Sequence, residues 1–359
     1  MDWQVNLAPL LWMELTLTDY KTISLAIQGG GTYGAFGWGV LDRLLQEENL
    51  EIDALSGSSA GAINAVVVAD GYARGGGRQG ARKALDRFWR TLGTTATLSP
   101  LQRTPLDRMA PSFTMEYSPV YHLLEMAGAM MGPVREGLVT LNPLRNFLSA
   151  MIDFERVRAC EELQLYIAAT NVRTGTGKLF LRQEMDAQRL VASACLPTVF
   201  AAVEVEGEMY WDGSYIANPP LAPLMKHTTS SDLIIIQNSP IARSDVPRNI
   251  ADISNRANEI AFNISLVREV SSLQYLNAVP DETRGAGVMP STKHLHLISG
   301  NHYLSEHGIS AKFNAEMPFL QMLHDQGVET ADRWYKEQGA NLGVKSTLDL
   351  MPVFFPDQV

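Results

Sequence analysis

Twice near its start the chain runs from a short apolar segment into a glycine-flanked turn and then into a stretch with helical periodicity. The first unit is Thr22–Gln28, closed by Gly29, Gly30 and Gly31. Phe36, Val40, Leu41, Leu44 and Leu45 then recur at helical spacing, with Asp42, Arg43, Gln46, Glu47 and Glu48 on the other face. The second is Ile52–Ser56, a turn at Ser59, and the apolar stretch Ala62–Ala69. Consecutive strand, turn and helix units return each strand parallel to the last, because a right-twisted strand and a right-handed helix pack only that way. The expected fold class is therefore α/β with a mainly parallel central sheet.

The rest of the chain extends this plan. Gly71–Gly80 carries five glycines and reads as a surface loop before a helix around Ala84–Trp89. Leu163–Ala169 reads as a buried strand, with Leu179–Leu181 as its partner across a turn. Ala187–Cys195 reads as a helix stopped before Pro197. Val203, Val205, Met209 and Trp211 alternate about a Glu206–Gly207–Glu208 turn, a hairpin that delivers Asp212 at its end. Leu233–Gln237 and His294–Ile298 read as strands, and Asn249–Leu276 and Asn314–Lys336 as helical. No linker-like run separates two cores. The expected division is an N-terminal extension at 1–21, one domain over 22–345, and a tail at 346–359. The Met- and Pro-rich segment 98–137 is a candidate cap over the active site.

Composition narrows the function classes. A formal charge of −10 argues against a basic groove for nucleic acid and against general attraction to anionic lipid. Membrane contact, if made, is expected to be local, apolar and peripheral. No apolar run reaches the roughly 20 residues that span a bilayer, and Asp2 and Glu14 break the pattern of a secretory leader. The N-terminal stretch is expected to be a docked or frayed end of a cytoplasmic protein. Cys160 and Cys195 read as buried thiols rather than a disulfide framework.

Gly57, Ser58, Ser59, Ala60 and Gly61 form the strongest chemical motif. A nucleophilic serine must sit on a turn so sharp that side chains two residues before and after it collide, which explains Gly57 and Gly61. Gly29, Gly30, Gly31 and Thr32 stand at a strand-to-helix junction, where bare backbone N–H groups can approach a negative oxygen. The same glycines, with Gly34, also fit a dinucleotide cradle, and Asp53 lies near the distance of a ribose-binding acid. Against that reading, Asp53 stands at the start of its strand rather than at its end, and no lysine follows as in a P-loop. Asp212 with Gly213 is either a hairpin end or a general base for Ser59. His302 or His307 would complete a Ser, Asp, His order. His294 and His296 share a strand face but lack further metal-type ligands nearby, so they are expected to be exposed strand residues.

The glycine-rich loop, the serine elbow soon after it and the late Asp-Gly pair together resemble the patatin-like phospholipase family, in its bacterial branch. Ala192–Pro197 through Phe200 also resembles the family's segment before its aspartate. The likeness is good over Ile23–Ile236 and looser toward Trp334. It implies a three-layer α/β/α patatin-like fold, hydrolysis of carboxylic esters in lipids, and a Ser59–Asp212 dyad in place of a histidine triad. It also implies Gly29, Gly30, Gly31 and Thr32 as the oxyanion hole. Two departures stand out: Tyr33 where many members carry Arg or Lys, and Ser214 where Gly or Ala follows Asp-Gly. No metal or cofactor is expected. The substrate expected is a lipid or fatty-acyl ester. An acyltransferase or thioesterase using the same acyl-enzyme, a noncatalytic lipid binder and a dinucleotide enzyme are the alternatives. Oligomeric state is not legible.

Overall fold

Because Leu233, Ile234, Ile235 and Ile236 are all fully buried, their strand must be covered on both faces, and it is an interior strand of the sheet, one in from an edge. A computed structural model describes residues 20–109, 112–123, 143–197, 200–243, 246–248, 250–278 and 293–348. Its sheet comprises β1 (Lys21–Ile27), β2 (Leu50–Gly57), β3 (Gln164–Asn171), β4 (Gly177–Leu181), β5 (Val203–Val205), β6 (Glu208–Asp212), β7 (Asp232–Gln237) and β8 (His294–Ser299). The pairs β2–β1, β1–β7, β7–β8 and β2–β3 are parallel, while β3–β4, β3–β6 and β5–β6 are antiparallel. The α/β class with a mainly parallel sheet is thus the observed one.

Side-chain alternation divides the core into two layers. Ile23, Leu25, Ile27, Ile234 and Ile236 face α1 (Gly34–Leu44), α2 (Ala60–Ala73), α3 (Gly77–Ala96), α4 (Ala187–Ser193) and α6 (Met317–Gln338). Ala26, Leu233, Ile235 and Leu295 face Leu224 and Met225, and Leu266, Val270 and Leu273 of α5 (Ile250–Ala278). Helices therefore cover both faces. Full burial of each such side chain contributes about 2 kcal/mol, against the entropy of fixing it.

The register places Asp212. On β3, β4 occupies one edge over Tyr166–Thr170, so β2 and β6 must share the other. There β2 ends with Gly57 opposite Ile167, and β6 ends with Asp212 opposite Ala169. Two elements distant in sequence thus finish within two positions of each other on one strand.

The expected loop at Gly71–Gly80 is not a loop. α2 runs through Ala73 and α3 begins at Gly77, leaving a short turn between them. A Cβ on Gly71 would lie 2.6 Å from the Gly80 carbonyl oxygen, and one on Gly80 would lie 2.2 Å from that of Gly71. This glycine pair lets two helices touch backbone to backbone. The extension at 1–19 and residues 110–111 and 124–137 of the candidate cap lie outside the described residues. Of the expected tail, Ser346 accepts the Leu295 N–H, and Thr347 and Leu348 donate to the Leu295 carbonyl.

Candidate active site

At the end of β2 the backbone turns into α2 through Ser59, whose φ of 54° and ψ of −126° are strained for a residue with a side chain. The glycines make the turn possible. A Cβ on Gly57 would come 2.5 Å from the Gly61 carbonyl carbon, and one on Gly61 would come 2.0 Å from the Ile27 oxygen. The Ser58 hydroxyl donates to the Ala217 carbonyl at 2.5 Å, and the Ser59 N–H donates to Ser193. Ser59 occupies the N-cap position of α2, but its hydroxyl makes no capping bond.

The glycine loop lies directly against this elbow. Gln28 anchors it: its side-chain amide donates to Asn263, its amide oxygen accepts the Ser239 N–H, and its carbonyl accepts Asn238 Nδ2. Gly29 donates its N–H to Asn218 Oδ1 at 2.7 Å, so among the four expected oxyanion residues it has no donor left to offer. Its role is closeness: a Cβ there would be 2.8 Å from that of Ser59. Gly31 has φ 62°, which favours glycine. The N–H groups of Gly30, Gly31 and Thr32 make no hydrogen bond to described residues.

Asp212 is fully buried, its N–H bonded to the Cys195 carbonyl at 2.8 Å. Its Oδ1 accepts the Ser214 N–H at 2.8 Å, whereas Oδ2 has no hydrogen-bond partner among the described residues. Burial pushes the carboxyl pKa up to about 6, with the Ser214 N–H and the nearby Ser59 and Ser214 hydroxyls pulling it back. The Ser59 hydroxyl is close enough to act on that pKa without a formed hydrogen bond.

Ser59, Asp212, Gly30, Gly31 and Thr32 line one cavity of about 500 Å³. Its remaining wall is largely apolar, with Ile63, Phe88, Trp89, Leu92, Leu144, Leu196, Phe200, Phe262 and Phe313. The described part of the candidate cap contributes Ser99, Pro100, Leu101 and Val120. Trp89 is fixed by its indole N–H, which donates to Asn64 Oδ1 at 2.9 Å, while Asn64 Nδ2 donates to the Gly34 carbonyl.

The histidines lie elsewhere. His302 is exposed, and His307 packs against Tyr33, Phe113 and Phe319, where burial pushes its pKa down to about 4. Neither lines the cavity. His296, expected to be exposed, is fully buried between Asp232 and Thr347 at 2.9 Å from each, because the chain after Gly343 closes over β8. Asp53 accepts the Ser24 hydroxyl and the Ser230 N–H, so it is committed away from the glycine loop. Among the described residues no three His, Cys, Asp or Glu side chains are grouped to hold a metal. Tyr33 is buried, donates to the Gly308 carbonyl, and has its pKa pushed up to about 12 by burial. Sequence reasoning missed Asn218, Asn238, Asn64 and Ser193. Only Asn218, beside two prolines, and Ser193, inside the segment flagged before Pro197, stood in recognisable surroundings.

The chain matches the model of the patatin-like phospholipases over residues 25–225. No curated protein matches it. Among solved structures it is similar to VipD from Legionella pneumophila, at 14% identity and TM-score 0.36, over 88% of this chain and 67% of that one. It is also similar to the type III effector protein ExoU, at 14% identity and TM-score 0.34, over 89% of this chain and 53% of that one. ExoU in its heterodimer with SpcU, from the type III secretion system of Pseudomonas aeruginosa, aligns at 14% identity and TM-score 0.29, over 74% and 56%. The chain thus spans just over half the length of ExoU.

Proposed function

Since the chain belongs to the patatin-like phospholipase family, we propose that this lipid acyl hydrolase cleaves carboxylic esters through Ser59 and Asp212. One observation carries the reading. Ser59 on its strained turn, buried Asp212 with an Oδ2 unbonded to described residues, and Gly30, Gly31 and Thr32, whose N–H groups bond to no described residue, all line the same apolar cavity.

The acyl chain lies along the apolar wall and the ester carbonyl meets Ser59. As Ser59 Oγ attacks the carbonyl carbon, Asp212 Oδ2 takes the hydroxyl proton. A carboxyl with a pKa near 6 is ionised at neutral pH and is still a stronger base than an ordinary aspartate. The N–H groups of Gly30, Gly31 and Thr32 receive the developing oxyanion, each well-aimed donor lowering the barrier by about 3 kcal/mol. Proton return to the alcohol leaves an acyl-serine. Asp212 then takes a proton from water as that water attacks, releasing the fatty acid and the Ser59 hydroxyl.

A fluorophosphonate probe tests the assignment. It should label Ser59, and Ser59→Ala should lose both the label and hydrolysis of p-nitrophenyl butyrate. Retained hydrolysis in that variant would sink the proposal.

A further inference from the structure

α5 is amphipathic the wrong way round for a helix packed on a sheet. In its first half the inward positions are polar, and each has a task. Asn255 donates to the Tyr121 hydroxyl, Glu259 pairs with Arg243 and Arg256, and Asn263 bridges Gln28 and the Pro240 carbonyl. The outward positions are isoleucines: Ile250, Ile253, Ile260 and Ile264 are 88, 50, 46 and 41% exposed. Their spacing puts them on one face of the helix. A helix buries its apolar stripe unless that stripe has another environment to enter.

Charge on this helix is sorted as well. Asp252 and Glu259 are buried, and Glu269 turns inward to accept the Leu221 and Ala222 N–H groups. Among the described residues, the exposed charges on and just before the helix are Arg268 and Arg248. In a chain of net charge −10, a face that is apolar and basic, with the described carboxylates of the helix (Asp252, Glu259 and Glu269) turned inward, is complementary to an anionic lipid surface. The face is continuous with the cavity: Glu259 and Phe262 line it, and Tyr121, bonded to Asn255, adjoins the cavity residue Val120 in a segment that exposes Tyr117 and Leu123.

We propose that the isoleucine face of α5 is a docking surface for a bilayer containing anionic lipid, seating the cavity against the membrane. The purpose of this contact rests on the lipid-ester reading above, but the contact itself is separable from it. It is measured with Ser59→Ala protein, which does not consume the vesicles, by sedimentation with phosphatidylcholine vesicles with and without phosphatidylglycerol. Ile253→Ser, Ile260→Ser and Ile264→Ser combined should lower partitioning about a hundredfold on both vesicles, as expected for withdrawing three half-exposed side chains from contact with lipid. Arg268→Glu should lower it about tenfold only where phosphatidylglycerol is present. With Ser59 restored, the triple variant should hydrolyse p-nitrophenyl butyrate within about twofold of the parent but lose at least about tenfold on vesicle-borne ester, the smaller of these effects allowing for residual docking.

Equal sedimentation of parent and triple variant, or no sedimentation of either, would overturn the proposal. So would light scattering that shows a dimeric parent and a monomeric variant with unchanged vesicle binding, since a second copy would then cover the face. Vesicle binding that depends on the isoleucines in a protein inactive on both esters would remove the hydrolase reading and leave the docking surface in place.

Discussion

Toward the leading ends of the strands, Asp53 accepts the Ser24 hydroxyl and the Ser230 N–H, Lys293 donates to Thr228 and Ser230, and His296 joins Asp232 to Thr347. At the trailing ends, Asp212 Oδ2, Asn218 Nδ2 and Asn238 Oδ1 are just as buried and have no partner among the described residues. Polar groups this deep are costly unless hydrogen-bonded, so the first network serves stability, while in the second Asp212, which lines the cavity, keeps an oxygen unbonded to described residues. The electrostatics agree. Although burial works against its charge, Asp232 is held below the usual carboxylate range by His296, Ser231 and the Gly343 N–H, whereas Asp212 is pushed above it.

The sharpest way to break this contrast is Asp212→Asn. On the proposed assignment of Asp212 as base, this variant should lose about 10³-fold in kcat/KM. The fold should become more stable. A carboxyl raised from 3.8 to about 6 binds its proton more tightly in the folded than in the unfolded state. Its ionisation therefore withdraws stability as pH rises through that window, reaching about 3 kcal/mol above it. Urea titrations should show the Asn variant more stable at pH 8, by up to that amount, and the gain should fade as pH falls toward 4. A loss of stability at pH 8 would contradict the burial-raised pKa of Asp212.

His296→Leu should do the reverse. Leaving Asp232 buried without its imidazole should cost about 3 kcal/mol in urea midpoint measurements, with kcat/KM of the folded enzyme within about twofold of the parent. A large catalytic defect there would mean that the two ends are coupled. The smallest effect is that of pH on the parent: kcat/KM should be flat above about pH 6 and fall about tenfold per unit below it, as Asp212 takes up its proton.

Much of this arrangement was legible in advance because apolar runs ending in glycine mark strands that feed tight turns. Thr22–Gln28 and Ile52–Ser56 emerged as β1 and β2 within two residues at each end, and the hairpin that ends at Asp212 is present. What stayed hidden has a common cause. A glycine reports only that a side chain is excluded, not whether a bend or a neighbouring backbone excludes it, so Gly71 and Gly80 passed for a loop. Likewise Gly29 passed for an oxyanion donor because nothing in its surroundings reveals that Asn218, far along the chain, takes its N–H. His296 was misplaced because the residues that cover it, Gly343 to Thr347, are local neither in sequence nor in pattern.

The contact between Gly71 and Gly80 also bears on engineering. α2 begins at the residue after Ser59, and α3 carries Phe88, Trp89 and Leu92 on the cavity wall. Joined backbone to backbone at their far ends and by the Trp89–Asn64 bond nearer the cavity, the two helices form a single strut. Resizing Phe88 or Leu92 should therefore alter which acyl groups fit without moving the nucleophile, making substrate range on this scaffold an independently adjustable property.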